Sequence, residues 1–323
     1  MIILDTPIDM HLHLREGKML KDVIDYSVNQ FAAAVIMPNL IPPVDNKERL
    51  KSYKEEILNN SNNFTPLMNL FMREYSEDEL LELRDEIFAI KLYPAGITTN
   101  SENGVKSIES IYPVLEIMEV LEIPLSVHGE TNGFVLDRER EFALVYEKLA
   151  KDFPNLKIIM EHISTVELVN LLDKYENLYA TITLHHLFLT LDDLAGDALN
   201  PHFFCKPIIK TPKDKEALQK IVKSGHKKVM FGSDSAPHSI KNKYKGAAGI
   251  FSAPVILPAL AEFFEGDNET FQKFISNNAR ENFNLNIPKK EIVLEKKEYK
   301  VPYIVGEVKP LFAGKSFSYC VVN

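Results

Sequence analysis

Eight short apolar runs, separated by stretches of helical character, recur along the chain and constrain its fold more than any other feature. They cover residues 8–14, 33–38, 66–71, 87–93, 124–128, 157–162, 179–183 and 228–234. Most mix β-branched and aromatic residues without clean alternation, as strands covered on both faces do. Between them, Leu50, Tyr53 and Ile57 share one helical face. Ser76 with Glu79, and Ser164 with Glu167, have capping-box spacing. Thr211 caps and Pro212 begins a helix that Gly225 stops. Ile108, Ile111, Leu115 and Met118 form a further stripe, which Pro113 either kinks or starts. Eight strand–helix units predict a parallel sheet closed into a (β/α)8 TIM barrel. The competing architecture is a doubly wound open sheet, but no Gly-x-Gly-x-x-Gly fingerprint follows the first strand. Residues 291–323, with Pro302 and Pro310, read as short strands appended to the barrel. The expectation is one domain over 1–323 with that C-terminal extension.

The totals narrow the function classes. At 323 residues, with 45% apolar and 26% charged residues, the chain has the balance of a globular protein. A net charge of −9 argues against a nucleic-acid partner, and Lys241, Lys243 and Lys245 form only a local cluster. Cys205 and Cys320 make no zinc or redox spacing, and so few cysteines suit a reducing cytoplasm. The opening Met-Ile-Ile-Leu-Asp lacks the positive region of a signal peptide. The apolar run 253–264 is too short to span a bilayer and carries Pro254, Pro258 and Glu262. No membrane partner is expected.

The chemistry-bearing residues cluster at strand ends. His11-Leu12-His13 lies on the first strand, where alternation points both imidazoles to one side. Two neutral imidazoles make half a zinc site, although an isolated His-x-His is more often incidental. His128 ends the fifth run, His162 the sixth and Asp234 the eighth. Barrel active sites are built at the C-terminal ends of the strands, so one mouth would collect all five groups. Lys91 sits in the apolar fourth run. It either snorkels to solvent or takes up carbon dioxide as a carbamate that bridges two metals. His185 and His186, at the end of the seventh run, are read as structural or as outer neighbours of the site.

These residues, in this order, resemble the ligands of the amidohydrolase superfamily. Longer strings are similar to the shorter, single-domain bacterial dihydroorotases: Asp-Met-His-Leu-His-Leu-Arg-Glu-Gly (9–17), Val-Ile-Met-Pro-Asn-Leu (35–40), Lys-Leu-Tyr-Pro-Ala-Gly-Ile-Thr-Thr-Asn-Ser (91–101) and Gly-Ser-Asp-Ser-Ala-Pro-His (232–238). The resemblance implies two Zn2+ per subunit. One would be held by His11, His13, Asp234 and carboxylated Lys91, the other by His128, His162 and the same carbamate. A hydroxide bridging the metals would attack the cyclic amide, with Asp234 as general acid and base. Arg15, Asn39 and His238 would bind the substrate carboxylate, with contacts also from Lys206, Ala248 and Gly249. Thr98 and Thr99 would lie on a closing loop. The substrate implied is N-carbamoyl-L-aspartate or L-dihydroorotate, in pyrimidine synthesis, and the assembly a homodimer.

The chain departs from the family pattern in three places. Ser233 stands where threonine is usual, Lys206 where an apolar residue is expected, and the stretch 238–249 is slightly short. Arg15 falls two residues after His13, which strand alternation would place on the ligand side, the alternative being a surface ion pair. Competing functions are another cyclic amidase of hydantoinase or allantoinase type, a mononuclear deaminase, and a barrel that lost catalysis.

Overall fold

The computed structural model describes residues 1–97, 100–101 and 104–322. The chain opens on a strand outside the barrel, β1 (Ile2–Asp5). The barrel strands follow: β2 (Ile8–Leu12), β3 (Ala33–Ile36), β4 (Thr65–Phe71), β5 (Ala89–Leu92), β6 (Leu125–Val127), β7 (Ile158–Met160), β8 (Leu178–Ile182) and β9 (Val229–Phe231). They form one parallel sheet in sequence order, with helices between them. Every residue of β2, β3, β5, β6, β7 and β9 is buried, which accounts for the missing alternation.

The sheet closes between its first and last strands, which excludes the open doubly wound alternative. Leu12 bridges Ser235 in parallel, the Asp234 amide donates to the His11 carbonyl at 2.9 Å, and the His13 amide donates to the Ser235 carbonyl at 3.2 Å. Asp9 reinforces the seam from below: its Oδ1 accepts from the Ser233 amide at 2.7 Å and the His11 amide at 3.1 Å. Gly232 makes the closure possible. A Cβ there would lie 2.8 Å from Thr181 Cβ and 3.0 Å from His11 Cβ.

Local signals explain most helix boundaries. Ser76 and Glu79 form the expected box ahead of Glu77–Leu83. Thr211 caps Pro212–Lys223, and Gly225 follows with φ +68°. Pro113 lies in the first turn of Tyr112–Val120, so it marks the start of that helix and does not kink it. The box expected from Ser164 and Glu167 is absent. Thr165 occupies the N-cap of Val166–Leu171, because buried Glu139 takes both the amide and the hydroxyl of Ser164. Late in the chain come β10 (Glu291–Glu295), β11 (Tyr299–Lys300), β12 (Ser316–Phe317) and β13 (Cys320–Val322). β10 lies between β1 and β13 in an antiparallel sheet, while β11 pairs with β12. That pairing of the extension with β1 was not legible in the sequence. Among the described residues, no helix is long and apolar enough to cross a membrane.

Candidate functional site

Residues just beyond the strand ends converge at the barrel mouth. His13 Nε2 lies 3.1 Å from Asp234 Oδ1 and 3.3 Å from His11 Nε2, and His11 Nε2 lies 3.5 Å from the same carboxylate oxygen. Ligating atoms of this buried trio all fall within 4.8 Å of one another. Across the mouth, His128 Nδ1 faces His162 Nε2 at 3.2 Å. Ring centroids of His11 and His162 are 5.0 Å apart, so the two groups adjoin. His162 and Asp234 both have φ near +42°, a region that costs a non-glycine residue energy and is tolerated where geometry matters.

Two carboxylates fix the imidazoles. Glu161 Oε2 lies 2.8 Å from His11 Nδ1, and Glu130 Oε2 lies 2.8 Å from His128 Nε2. An ionised carboxylate only accepts, so each contacted nitrogen carries the proton and the opposite nitrogen presents its lone pair to the mouth. Burial pushes the Glu161 carboxyl up, but His11, Lys91 and Ser126 outweigh it and hold it at about 2. Thr181 Oγ1 also donates to Glu161, at 2.6 Å. Neither Glu130 nor Glu161 was singled out from the sequence. Their adjacency to His128 and His162, in His-Gly-Glu and Met-Glu-His, is the signal that could have found them.

The donor set fits divalent cations. Burial lowers the pKa of His11, His13 and His162 and keeps them as neutral ligands. Imidazole and carboxylate together suit zinc. Lys91 is wholly buried on β5, and among the described residues its Nζ has no hydrogen-bond partner. The snorkelling alternative is therefore excluded. Burial pushes its amine down to about 8, against the opposing pull of Glu161 and Asp234. His162 Nδ1 is likewise buried without a partner among the described residues. An orphaned amine beside facing imidazole lone pairs is the pattern that two cations and a bridging carbamate would satisfy.

One cavity brings together His11, His13, Arg15, Asn39, His128, His162, Lys206, Asp234, Ala248 and Gly249. Tyr93, absent from the sequence expectations, lines it too. Arg15 lies past the end of β2 with φ +62°, so a turn places it there and not strand alternation. It makes no ion pair among the described residues. Its Nε donates to the Pro237 carbonyl at 3.2 Å, and its Nη2 lies 3.3 Å from His238 Nε2. Burial, then the adjacent Arg15 charge, pushes His238 down to about 3, so it is a neutral acceptor. Asn39 lines the cavity together with His13. Thr98 and Thr99 lie outside the described residues. On either side of them, Lys206 Nζ donates to the Ile97 carbonyl at 2.5 Å and Asn100 Nδ2 to the Asn39 carbonyl at 3.0 Å. His185 and His186 do not end a strand. Thr183 caps a short helix, Leu184–Phe188, that buries both behind the mouth.

Comparisons with known proteins agree with this geometry. A profile of the amidohydrolase family matches residues 8–285. A dihydroorotase of Helicobacter hepaticus is 47% identical over 330 residues, covering 98% of this chain and 96% of that protein. The crystal structure of a dihydroorotase from Campylobacter jejuni superposes with a TM-score of 0.96 at 55% identity, over 100% of this chain and 97% of that one. A dihydroorotase from Saccharomyces cerevisiae, in complex with 5-fluoroorotic acid, gives 0.92 at 34% identity, over 100% and 99%.

Proposed function

The chain belongs to the amidohydrolase family, among its dihydroorotases, which are cyclic amide hydrolases, and from that premise we propose that it interconverts N-carbamoyl-L-aspartate and L-dihydroorotate at a binuclear zinc centre. The single observation that carries the reading is the pair of buried imidazole groups with lone pairs turned to one mouth, with an orphaned lysine on β5 beside them. His11, His13 and Asp234 would hold one ion, His128 and His162 the other, and carboxylated Lys91 both. When bound, the two ions supply an ionised water at neutral pH and polarise the amide carbonyl.

The remaining steps fall to side chains. Asp234 sits between the two histidines of the seam, where it takes the proton of the attacking water and returns it to the leaving ring nitrogen. In the synthetic direction it removes the proton from the ureido nitrogen. Glu161 and Glu130 keep the ligand nitrogens unprotonated toward the mouth. Burial pushes the Asp234 carboxyl up, with His11 and His128 opposing. Arg15 presents a planar fork to the carboxylate off the ring, with neutral His238 accepting from it and steadying its plane. Asn39, Lys206, Ala248 and Gly249 line the same cavity and complete that pocket. Thr98 and Thr99 would close over it. A place in pyrimidine synthesis, a cytoplasmic setting and a homodimer form part of the same proposal.

The experiment is a cyclisation assay on carbamoyl-aspartate with the zinc-loaded protein, run beside hydantoin and allantoin. Turnover of carbamoyl-aspartate and none of the neutral rings is expected. Hydantoin turnover without cyclisation would sink the reading, because Arg15 would then lack the anion it is placed to grip.

A further inference from the structure

Behind the catalytic mouth, His185, His186 and Cys205 form a second buried group whose ligating atoms all lie within 4.8 Å of one another. It shares no residue with the trio His11, His13 and Asp234. Two different constraints bring it together. Thr183 caps Leu184–Phe188 and thereby sets both histidines on one short helix. Cys205 arrives on the segment that carries Lys206 to the substrate cavity.

The hydrogen bonding within the group is uneven. His186 Nε2 lies 3.1 Å from the Pro207 carbonyl oxygen, and Cys205 Sγ donates to that same oxygen at 3.2 Å. Two N–H and S–H groups thus converge on one acceptor. His185 is completely buried, yet among the described residues neither of its ring nitrogens has a hydrogen-bond partner. Leaving such a group unsatisfied costs about 1–3 kcal/mol, and native proteins rarely carry that cost without a compensating ligand. Two imidazoles and a thiol whose ligating atoms lie within 4.8 Å of one another are donors that a borderline or soft cation takes.

We propose that His185, His186 and Cys205 form a third metal site, for Zn2+ or a similarly thiophilic ion, separate from the catalytic pair. Binding replaces the Cys205 thiol proton, which leaves to solvent, with the metal. The His186 Nε2 proton moves to Nδ1, where Thr183 Oγ1 accepts it, and Nε2 is left bare for the metal. The Pro207 carbonyl is thereby freed from both donors. Lys206 lies between Cys205 and Pro207 and lines the substrate cavity, so an ion there would stiffen that wall.

Cobalt provides a test that does not depend on turnover. The metal-free protein is titrated with Co2+ and its near-ultraviolet absorption recorded. Thiolate ligands give an intense charge-transfer band there, and the proposed catalytic ligands include no sulfur. The native chain and Cys320→Ser are expected to show the band, while Cys205→Ser loses it and binds one metal fewer per chain. Because outer partners of a metal ligand already contribute about 10–100-fold to affinity, removing a ligand by His185→Ala is expected to weaken development of the band at least that much. A fully loaded native chain without the band overturns the proposal, and so does a band that persists in Cys205→Ser. If Cys205→Ser fails to fold, identical titrations of the native chain and His185→Ala overturn it instead. A band without cyclisation activity would leave this site standing and remove the reading of the mouth. Activity without a band would do the reverse.

Discussion

Glu161→Gln tests whether a carboxylate two layers below the substrate sets the metal affinity of the mouth. Glu161 accepts from three buried donors: His11 Nδ1 and Thr181 Oγ1 on one oxygen, and Ser126 Oγ on the other. The amide has one acceptor oxygen and one NH2, so it cannot accept on both sides. The least costly arrangement keeps the oxygen toward His11 and Thr181 and turns the Ser126 hydroxyl from donor to acceptor. The substitution also removes the charge from all three bonds. Neutral hydrogen bonds contribute about 0.5–1.5 kcal/mol and charge-assisted ones about 1.5–3. A net cost of about 2 kcal/mol follows, which at 1.4 kcal/mol per decade is a factor of about 30. Because Glu161 determines which His11 nitrogen is bare, the cost is expected to fall on zinc affinity, measured by competition with a chelating indicator. Turnover should largely recover when zinc is raised above the new dissociation constant. An affinity within about threefold of native, or less than 0.7 kcal/mol, would refute the argument, since His11 would then be oriented without Glu161.

Four further outcomes are expected. Asp234→Asn, assayed at saturating zinc, should lower kcat by about 10²–10⁴-fold, the usual worth of a general acid–base, and an undiminished rate would remove its proton role. Arg15→Lys should raise KM for carbamoyl-aspartate about 10–100-fold with kcat less affected, because a point charge replaces a two-pronged grip; an unchanged KM would place the carboxylate elsewhere. Zinc added to metal-free protein should restore activity faster with bicarbonate than in carbonate-free buffer, and equal rates would count against a carbamate on Lys91. Burial pushes Glu139 from 4.5 up to about 7, against the opposing pull of Lys210 and Ser164. Its folded value is the higher one, so its contribution of about 3 kcal/mol is complete below the unfolded value and is lost as pH rises through about 7. Glu139→Gln, a mimic of the protonated form, should therefore match the native Tm below about pH 5 and exceed it above about pH 8. Parallel Tm curves would show that Glu139 does not titrate in this window.

The barrel was legible because eight apolar runs, each covered on both sides, alternate with helices; the open doubly wound sheet would cover them too, and the seam between β2 and β9 decides between the two. The mouth was legible because His11, His13, His128, His162 and Asp234 all lie at or just past the C-terminal ends of strands. Other features depend on partners distant in sequence. Ser164 has the spacing of a cap, but Glu139, 25 positions earlier, claims it, and the cap passes to Thr165. Arg15 reaches the cavity through a positive-φ turn that no periodicity reveals. Glu130 and Glu161 were visible as letters, but only the fold shows which imidazole nitrogen each one holds. β1 was missed because four residues with one exposed member make a weak pattern until β10 lies alongside them.

The seam between β2 and β9 also determines when in folding the protein acquires its chemistry. His11 and Asp234 sit on the first and last strands to be joined, with nearly the whole barrel sequence between them. With that seam open, His11 and His13 are not held against Asp234. In the proposed centre, an ion held by His11 and Asp234 would act as a removable cross-link across a very long loop. Because closure entropy grows only with the logarithm of loop length, the chain obtains the topology of a circularly stapled polymer at little more than the cost of a short staple. The native fold would then be favoured in proportion to free metal over its dissociation constant, so metal supply would bear on the stability of the folded chain as well as on its rate.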